Sequence, residues 1–140
     1  MKGVNYLDTF ILVADDCRAD HGTEPPVKSE NPSIAARQYE MIATAPYTFT
    51  SEDVIFGVHA DRTVIDEQDR PAARAEYFSI GRACLRASNL GKKYGWGIHC
   101  DAEGKLALYG VESPEYARLV AAGDNGECPA LVKAMRSSRT

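Results

Sequence analysis

The sequence predicts an α+β fold: one domain with a small, mainly antiparallel sheet packed against three to four helices. Three observations carry this expectation. A chain of 140 residues is a single-domain length. Apolar runs with strand character stand near 8–14, 93–101, 105–111 and 131–136. Segments with helical spacing and cap signals stand near 32–44, 51–62, 66–80 and 114–122. The order is strand, helices, hairpin, helix, strand, which lacks the regular βα alternation of a parallel doubly wound sheet.

Taken in order, Thr9–Ala14 (Thr-Phe-Ile-Leu-Val-Ala) is a continuous apolar run of β-formers, so it reads as a strand buried on both faces and central in its sheet. Residues 15–32 have no periodicity and are rich in Pro, Gly and charge. Loops of that length are often functional or mobile, so this one is a candidate lid, with a plain surface loop as the alternative. Asn31-Pro32 has a cap residue followed by Pro at the first helical position. Ala35, Tyr39 and Ile42 then share one face, flanked by Ile34 and Met41, and the helix should end near Thr44, before Pro46. Thr50 caps the next helix, whose first turn carries Glu52 and Asp53. A third helix is expected over 66–80, broken or started late by Pro71, with Tyr77 and Phe78 as anchors.

The hairpin is specified in detail. Asp101-Ala-Glu-Gly104 suits a type I turn closed by a left-handed glycine. Pairing outward sets Cys100 opposite Leu106, Ile98 opposite Leu108 and Trp96 opposite Gly110, a face turned to the core. The other face sets His99 opposite Ala107, Gly97 opposite Tyr109 and Gly95 opposite Val111. Alternate glycines leave that second face low, so either a helix packs on it or a ligand approaches its backbone. Ser113-Pro114-Glu115 starts the last helix, Tyr116, Leu119 and Val120 make its buried stripe, and Gly123 should end it. Lys133 and Arg136 mark 131–136 as an edge strand, and the tail from Ser137 should fray.

Charge and motifs narrow the function. A net charge of −4 argues against nucleic acid as a partner, because binding phosphates needs an excess of Lys and Arg. The run Phe10–Ala14 is too short for a signal h-region or a membrane span. A cytoplasmic setting with reduced thiols is therefore expected for Cys17, Cys84, Cys100 and Cys128, which form no CxxC pair. No GxGxxG, GxxxxGK[ST], HExxH or GxSxG occurs. Cys17-x3-His21 and the adjacent His99-Cys100 do not match zinc spacing, so no metal and no cofactor are expected.

What remains is a basic segment without acids, Arg82 to Lys93, holding Arg86, Ser88 and Lys92. A guanidinium fork grips carboxylate or phosphate with two hydrogen bonds, which makes Arg86 the first candidate for an anion site. His99 and Tyr109 on the glycine face complete the candidate ligand-binding set of Arg86, Ser88, Lys92, His99 and Tyr109. A salt-bridged loop matched to the acidic stretch 61–76 is the plain alternative. The leading reading is a non-enzymatic binding or interaction domain whose partner is a small anionic molecule or a protein. The alternative is a small enzyme using His99 with Tyr109, or Cys84, whose basic neighbours suit a reactive thiol. A homodimer through the 131–136 edge is a third possibility.

The segments Cys84-Leu-Arg-Ala-Ser88, Lys93-Tyr-Gly-Trp-Gly-Ile-His99, Gly104-Lys-Leu-Ala-Leu-Tyr-Gly-Val-Glu-Ser113 and Lys133-Ala-Met-Arg-Ser137 resemble a family of small bacterial proteins known only as a domain of unknown function. Thr9–Ala14, Ile34-Ala-Ala-Arg-Gln-Tyr-Glu40 and Asp53-Val-Ile-Phe-Gly-Val-His-Ala60 are similar to it as well. The resemblance spans nearly the whole chain and implies a bacterial, cytoplasmic protein. It implies no activity, substrate or catalytic residue.

Overall fold

Residues 4–27 and 32–137 are described by a computed structural model. The elements are β1 (Thr9–Leu12), α1 (Ile34–Thr44), α2 (Ser51–Thr63), α3 (Arg70–Tyr77), α4 (Asn89–Lys92), β2 (Trp96–Cys100), β3 (Leu106–Gly110), α5 (Pro114–Asp124) and β4 (Ala130–Lys133). Two 3-10 turns, Glu67–Asp69 and Leu85–Ala87, complete them. The fold is α+β, and the sheet has the order β3-β2-β1-β4.

β1 is central, as its two-sided apolar character requires; Phe10 and Ile11 are buried on opposite faces. β2 and β3 pair antiparallel in the expected register, from Trp96 opposite Gly110 to Cys100 opposite Leu106. Gly104 closes the turn at φ 80°, its amide donating to Asp101 O at 2.9 Å. The sheet is mixed, because β4 lies at the edge beside β1 and parallel to it. α5 makes this possible by carrying the chain across one face of the sheet, from β3 to the opposite edge.

One sheet face packs on α1, α2 and the 85–90 segment. Ile11, Ile98, Cys100 and Leu106 meet Ala35, Ile42, Val54, Leu85 and Leu90 there. Each Ile, Leu or Val side chain among them contributes roughly 1.5–3 kcal/mol on burial. A smaller cluster of Val4, Phe56, Ala60 and Phe78 ties α2 to the end of α3. On the other face, the Phe10 ring meets Tyr116 of α5 edge-on at 4.9 Å.

Several boundaries differ from the sequence expectation. α1 is capped by Ser33, whose hydroxyl accepts from the Ala36 amide at 3.1 Å; the expected cap Asn31 lies outside the described residues, as do the last three residues of the tail. The helix expected over 66–80 shortens to Arg70–Tyr77, because Pro71 occupies its first turn and the preceding residues take a 3-10 turn. β2 begins at Trp96, since Lys92 ends α4 and Gly95 reverses the chain at φ 79°. α5 runs through Gly123 to Asp124; that glycine lets the helix backbone close on Leu131 of β4 and on Pro129 just before it.

The described part of the long loop is a packed cover. The Thr23 amide donates to Tyr94 O (2.8 Å), the Trp96 indole N–H donates to Thr23 O (2.9 Å), and the Gly22 amide donates to a Glu112 carboxylate oxygen (2.8 Å). Trp96 is half-buried between Gly22 and Tyr39 and is not sunk in the core. No helix among the described residues is long and apolar enough to cross a membrane.

Candidate functional site

The five residues singled out by sequence fall in two places. On the 85–92 segment, Arg86 closes the outer edge of β4: its Nε donates to Lys133 O at 2.6 Å, and its own carbonyl accepts from the Met135 amide at 2.8 Å. That covers the strand edge through which a 131–136 dimer would pair. Ser88 is buried; its hydroxyl donates to Gln38 Oε1 and accepts from the Leu90 amide at 3.1 Å, capping α4. Lys92 is the last residue of α4.

His99 and Tyr109 lie on the sheet face that carries Phe10. Both bond to the hydroxyl of Tyr47, at 2.8 Å from His99 Nδ1 and 2.8 Å from the Tyr109 hydroxyl. Burial holds His99 below its usual pKa, so its imidazole is neutral at pH 7. The Tyr47 hydroxyl thus links a neutral imidazole to the Tyr109 hydroxyl, and either hydroxyl can donate to the other. Burial, and after it the Tyr109 hydroxyl, push the Tyr47 phenol well above its ordinary range. Tyr47 sits at φ 57°, a left-handed conformation held by its amide's bond to Leu106 O at 2.7 Å. Nothing in the local sequence around Tyr47 signalled this partnership.

The glycine face offers no ligand a backbone to approach. The space above Gly97 is filled by the rings of Phe10 and Tyr116, and the carbonyl of His21 closes on Gly95. Among the described residues, no hydrogen bond, ion pair or ring contact joins Arg86, Ser88 or Lys92 to His99 or Tyr109.

Open space also lies on the helical side of the sheet. A cleft of about 360 Å³ opens between α1, α2 and the 83–89 segment. α1 contributes Ile34, Ala35 and Gln38; α2 contributes Ile55, Val58, His59 and Arg62. Cys84, Leu85, Ser88 and Asn89 form the facing wall, and Tyr77 closes one end. The His59 ring rests on Tyr77 with centroids 4.4 Å apart, and the Arg82 guanidinium covers the Tyr77 ring at 3.8 Å. No Asp or Glu lines the cleft.

Three of its polar groups point to chemistry. Gln38 is only 6% exposed; its carbonyl takes the Ser88 hydroxyl, and its amide nitrogen has no acceptor among the described residues. Arg62 has no ion-pair or hydrogen-bonding partner among them either. The Cys84 sulfur lies 3.3 Å from the Tyr6 hydroxyl. The cleft is thus a donor-rich, positively charged site with aliphatic walls. Ser88 and Cys84 line it, whereas Arg86, Lys92, His99 and Tyr109 do not. Gln38, His59 and Arg62 were missed. For Gln38 a signal existed: it stands three residues after Ala35 and four before Ile42, a polar side chain within the buried stripe of α1.

The whole chain, residues 1–140, matches the model of a family of unknown function (DUF6157), and the chain belongs to that family. The expected membership in a domain family of unknown function therefore holds from end to end. No curated protein and no solved structure matches the chain.

Proposed function

We propose that this family member is a cytoplasmic bacterial binding protein for a small anionic ligand, held in the cleft between α1, α2 and the 83–89 segment. One observation carries the reading: among the described residues the cleft is lined by the Arg62 guanidinium and the Gln38 amide and by no carboxylate. Arg62 at the mouth supplies the charge, and Ile34, Ile55, Val58 and Leu85 give an apolar body a place to rest. A volume near 360 Å³ is at the small end of ligand sites, so the ligand is of metabolite size. The four free cysteines agree with a reducing compartment.

A thermal-shift panel of small carboxylates and phosphate esters tests the reading, with Arg62→Gln alongside the wild type. A ligand at one hundred times its Kd stabilises by about 2.7 kcal/mol, which raises the Tm of a chain this long by about 9 °C. Arg62→Gln should weaken binding by roughly 10–100-fold, the loss of one charge-assisted hydrogen bond. Absence of stabilisation by every anion, or a shift that Arg62→Gln leaves unchanged, would overturn the proposal.

A further inference from the structure

We infer that Tyr47 is a redox-active tyrosine, with His99 as its proton acceptor and Tyr109 as a second phenol, suited to reducing small oxygen-centred radicals such as organic peroxyl radicals. The site lies on the sheet face that carries Phe10, and nothing in it depends on the cleft.

A phenol gives up an electron readily when its proton leaves at the same time, because the radical cation left behind is a very strong acid. A neutral base already bonded to the hydroxyl therefore decides which tyrosine is oxidised. Among the described residues, Tyr47 is the one phenol bonded to an imidazole: its hydroxyl is 2.8 Å from His99 Nδ1 and 2.8 Å from the Tyr109 hydroxyl. The Tyr6 hydroxyl meets the Cys84 sulfur instead, and the Tyr116 hydroxyl accepts from the Val13 amide. Burial keeps Tyr47 protonated and His99 neutral, the two states from which the transfer starts. Asp101 and Asp8 lie close enough to His99 to favour its charged form, so they stabilise the imidazolium that accepts the proton. Tyr47 is 36% exposed, which lets a small oxidant reach its ring. The backbone adds an independent observation. Asp8 (φ 47°) and Tyr47 (φ 57°) are two of the three non-glycine residues in the left-handed region among those described. Such strain persists where the surrounding structure imposes it, and it gathers at functional sites. Here both strained residues act on one histidine.

In the tautomer that carries its hydrogen on Nε2, Nδ1 takes the Tyr47 hydrogen and the Tyr47 oxygen accepts from Tyr109. One electron passes from Tyr47 to the peroxyl radical as the phenolic proton passes to Nδ1. The imidazolium releases a proton to solvent, and the peroxyl anion takes one up. In sum one hydrogen atom moves: the peroxyl radical is reduced to a hydroperoxide, and Tyr47 is oxidised to a neutral phenoxyl radical. Tyr109 shares that radical by handing its own hydroxyl hydrogen to the Tyr47 oxygen. A small enediol reductant restores the phenol by giving back a hydrogen atom.

The test uses the full chain at neutral pH with two oxidants: photogenerated tris(bipyridyl)ruthenium(III), which accepts an electron and no proton, and peroxyl radicals from a water-soluble azo initiator. Spin trapping with peptide mass spectrometry locates the radical, and transient absorption gives its rate of formation. Both oxidants should mark Tyr47 and Tyr109 ahead of the other tyrosines. His99→Gln should slow oxidation of Tyr47 by ruthenium roughly a hundredfold, the lower end of what a positioned base contributes. Tyr109→Phe should confine the radical to Tyr47. The wild type should also react more slowly in deuterated water, a readout that needs no variant. Adducts spread over the tyrosines according to exposure, or a rate that neither His99→Gln nor deuterated water changes, would overturn the redox site. Marking by ruthenium without marking by peroxyl radicals would leave the redox site standing and overturn the substrate class.

Discussion

Removing the Ser88 hydroxyl tests how the floor of the cleft is built. In Ser88→Ala two interactions vanish together. The α4 cap to the Leu90 amide is lost, worth about 0.5–2 kcal/mol. Gln38 Oε1 loses its only donor in a residue 6% exposed, which costs a further 1–3 kcal/mol or so. The expected destabilisation is about 2–4 kcal/mol, equivalent to a fall in Tm of roughly 10 °C for this chain length. Gln38→Met keeps the volume and removes both the acceptor and the free amide. It should cost about 1–2 kcal/mol, because the buried Ser88 hydroxyl then lacks an acceptor. The double variant leaves no orphaned partner, so it should cost less than the two single changes together by about 1–2 kcal/mol. Urea denaturation of all four proteins at one pH measures this, with equal m-values confirming that the comparison is of stability alone. Strict additivity, or a Ser88→Ala cost under about 0.5 kcal/mol, would refute a coupled buried pair at the cleft floor.

Two further outcomes follow from the opposite sheet face. In Gly97→Ala the added methyl would overlap the Phe10 and Tyr116 rings, and the Tyr116 hydroxyl is tied to the Val13 amide at 3.0 Å. Destabilisation should reach the upper part of the roughly 1–3 kcal/mol range for overpacking; denaturant unfolding reads it, and a cost below about 1 kcal/mol would contradict a filled face. His99 titrates below its ordinary value in the folded state because it is buried, so the unfolded chain binds the proton more readily. Its contribution is fully present above about pH 6.5 and is lost as the pH falls below that value. Denaturation midpoints at pH 7.5 and 5.5 should therefore fall less in His99→Gln than in the wild type; an equal fall would exclude His99 as a source of the acid sensitivity.

Much of the local architecture was legible because it depends on neighbours in sequence. The Asp101–Gly104 turn needs one left-handed glycine and one Asp acceptor, and both stand at fixed offsets, so the register from Trp96 to Gly110 followed. The Thr50 cap and its reciprocal bond with Asp53 are likewise a four-residue pattern. The basic segment was legible as a place of interest, yet not as structure. Ser88 turns inward because Gln38, fifty positions away, offers it an acceptor, and Arg86 turns to β4 because Lys133 presents a carbonyl there.

Turn chemistry, caps and apolar spacing thus settled the elements, the central place of β1 and the inward face of the hairpin, since those depend on side-chain period and on backbone conformations that few residues adopt. The parallel placement of β4, the filling of the glycine face by Tyr116, the Tyr47 link between His99 and Tyr109, and the cleft itself were decided only by tertiary packing. Each requires groups far apart in the chain to meet. Long-range contacts of that kind are fixed by the closure of the whole core, which no local pattern encodes.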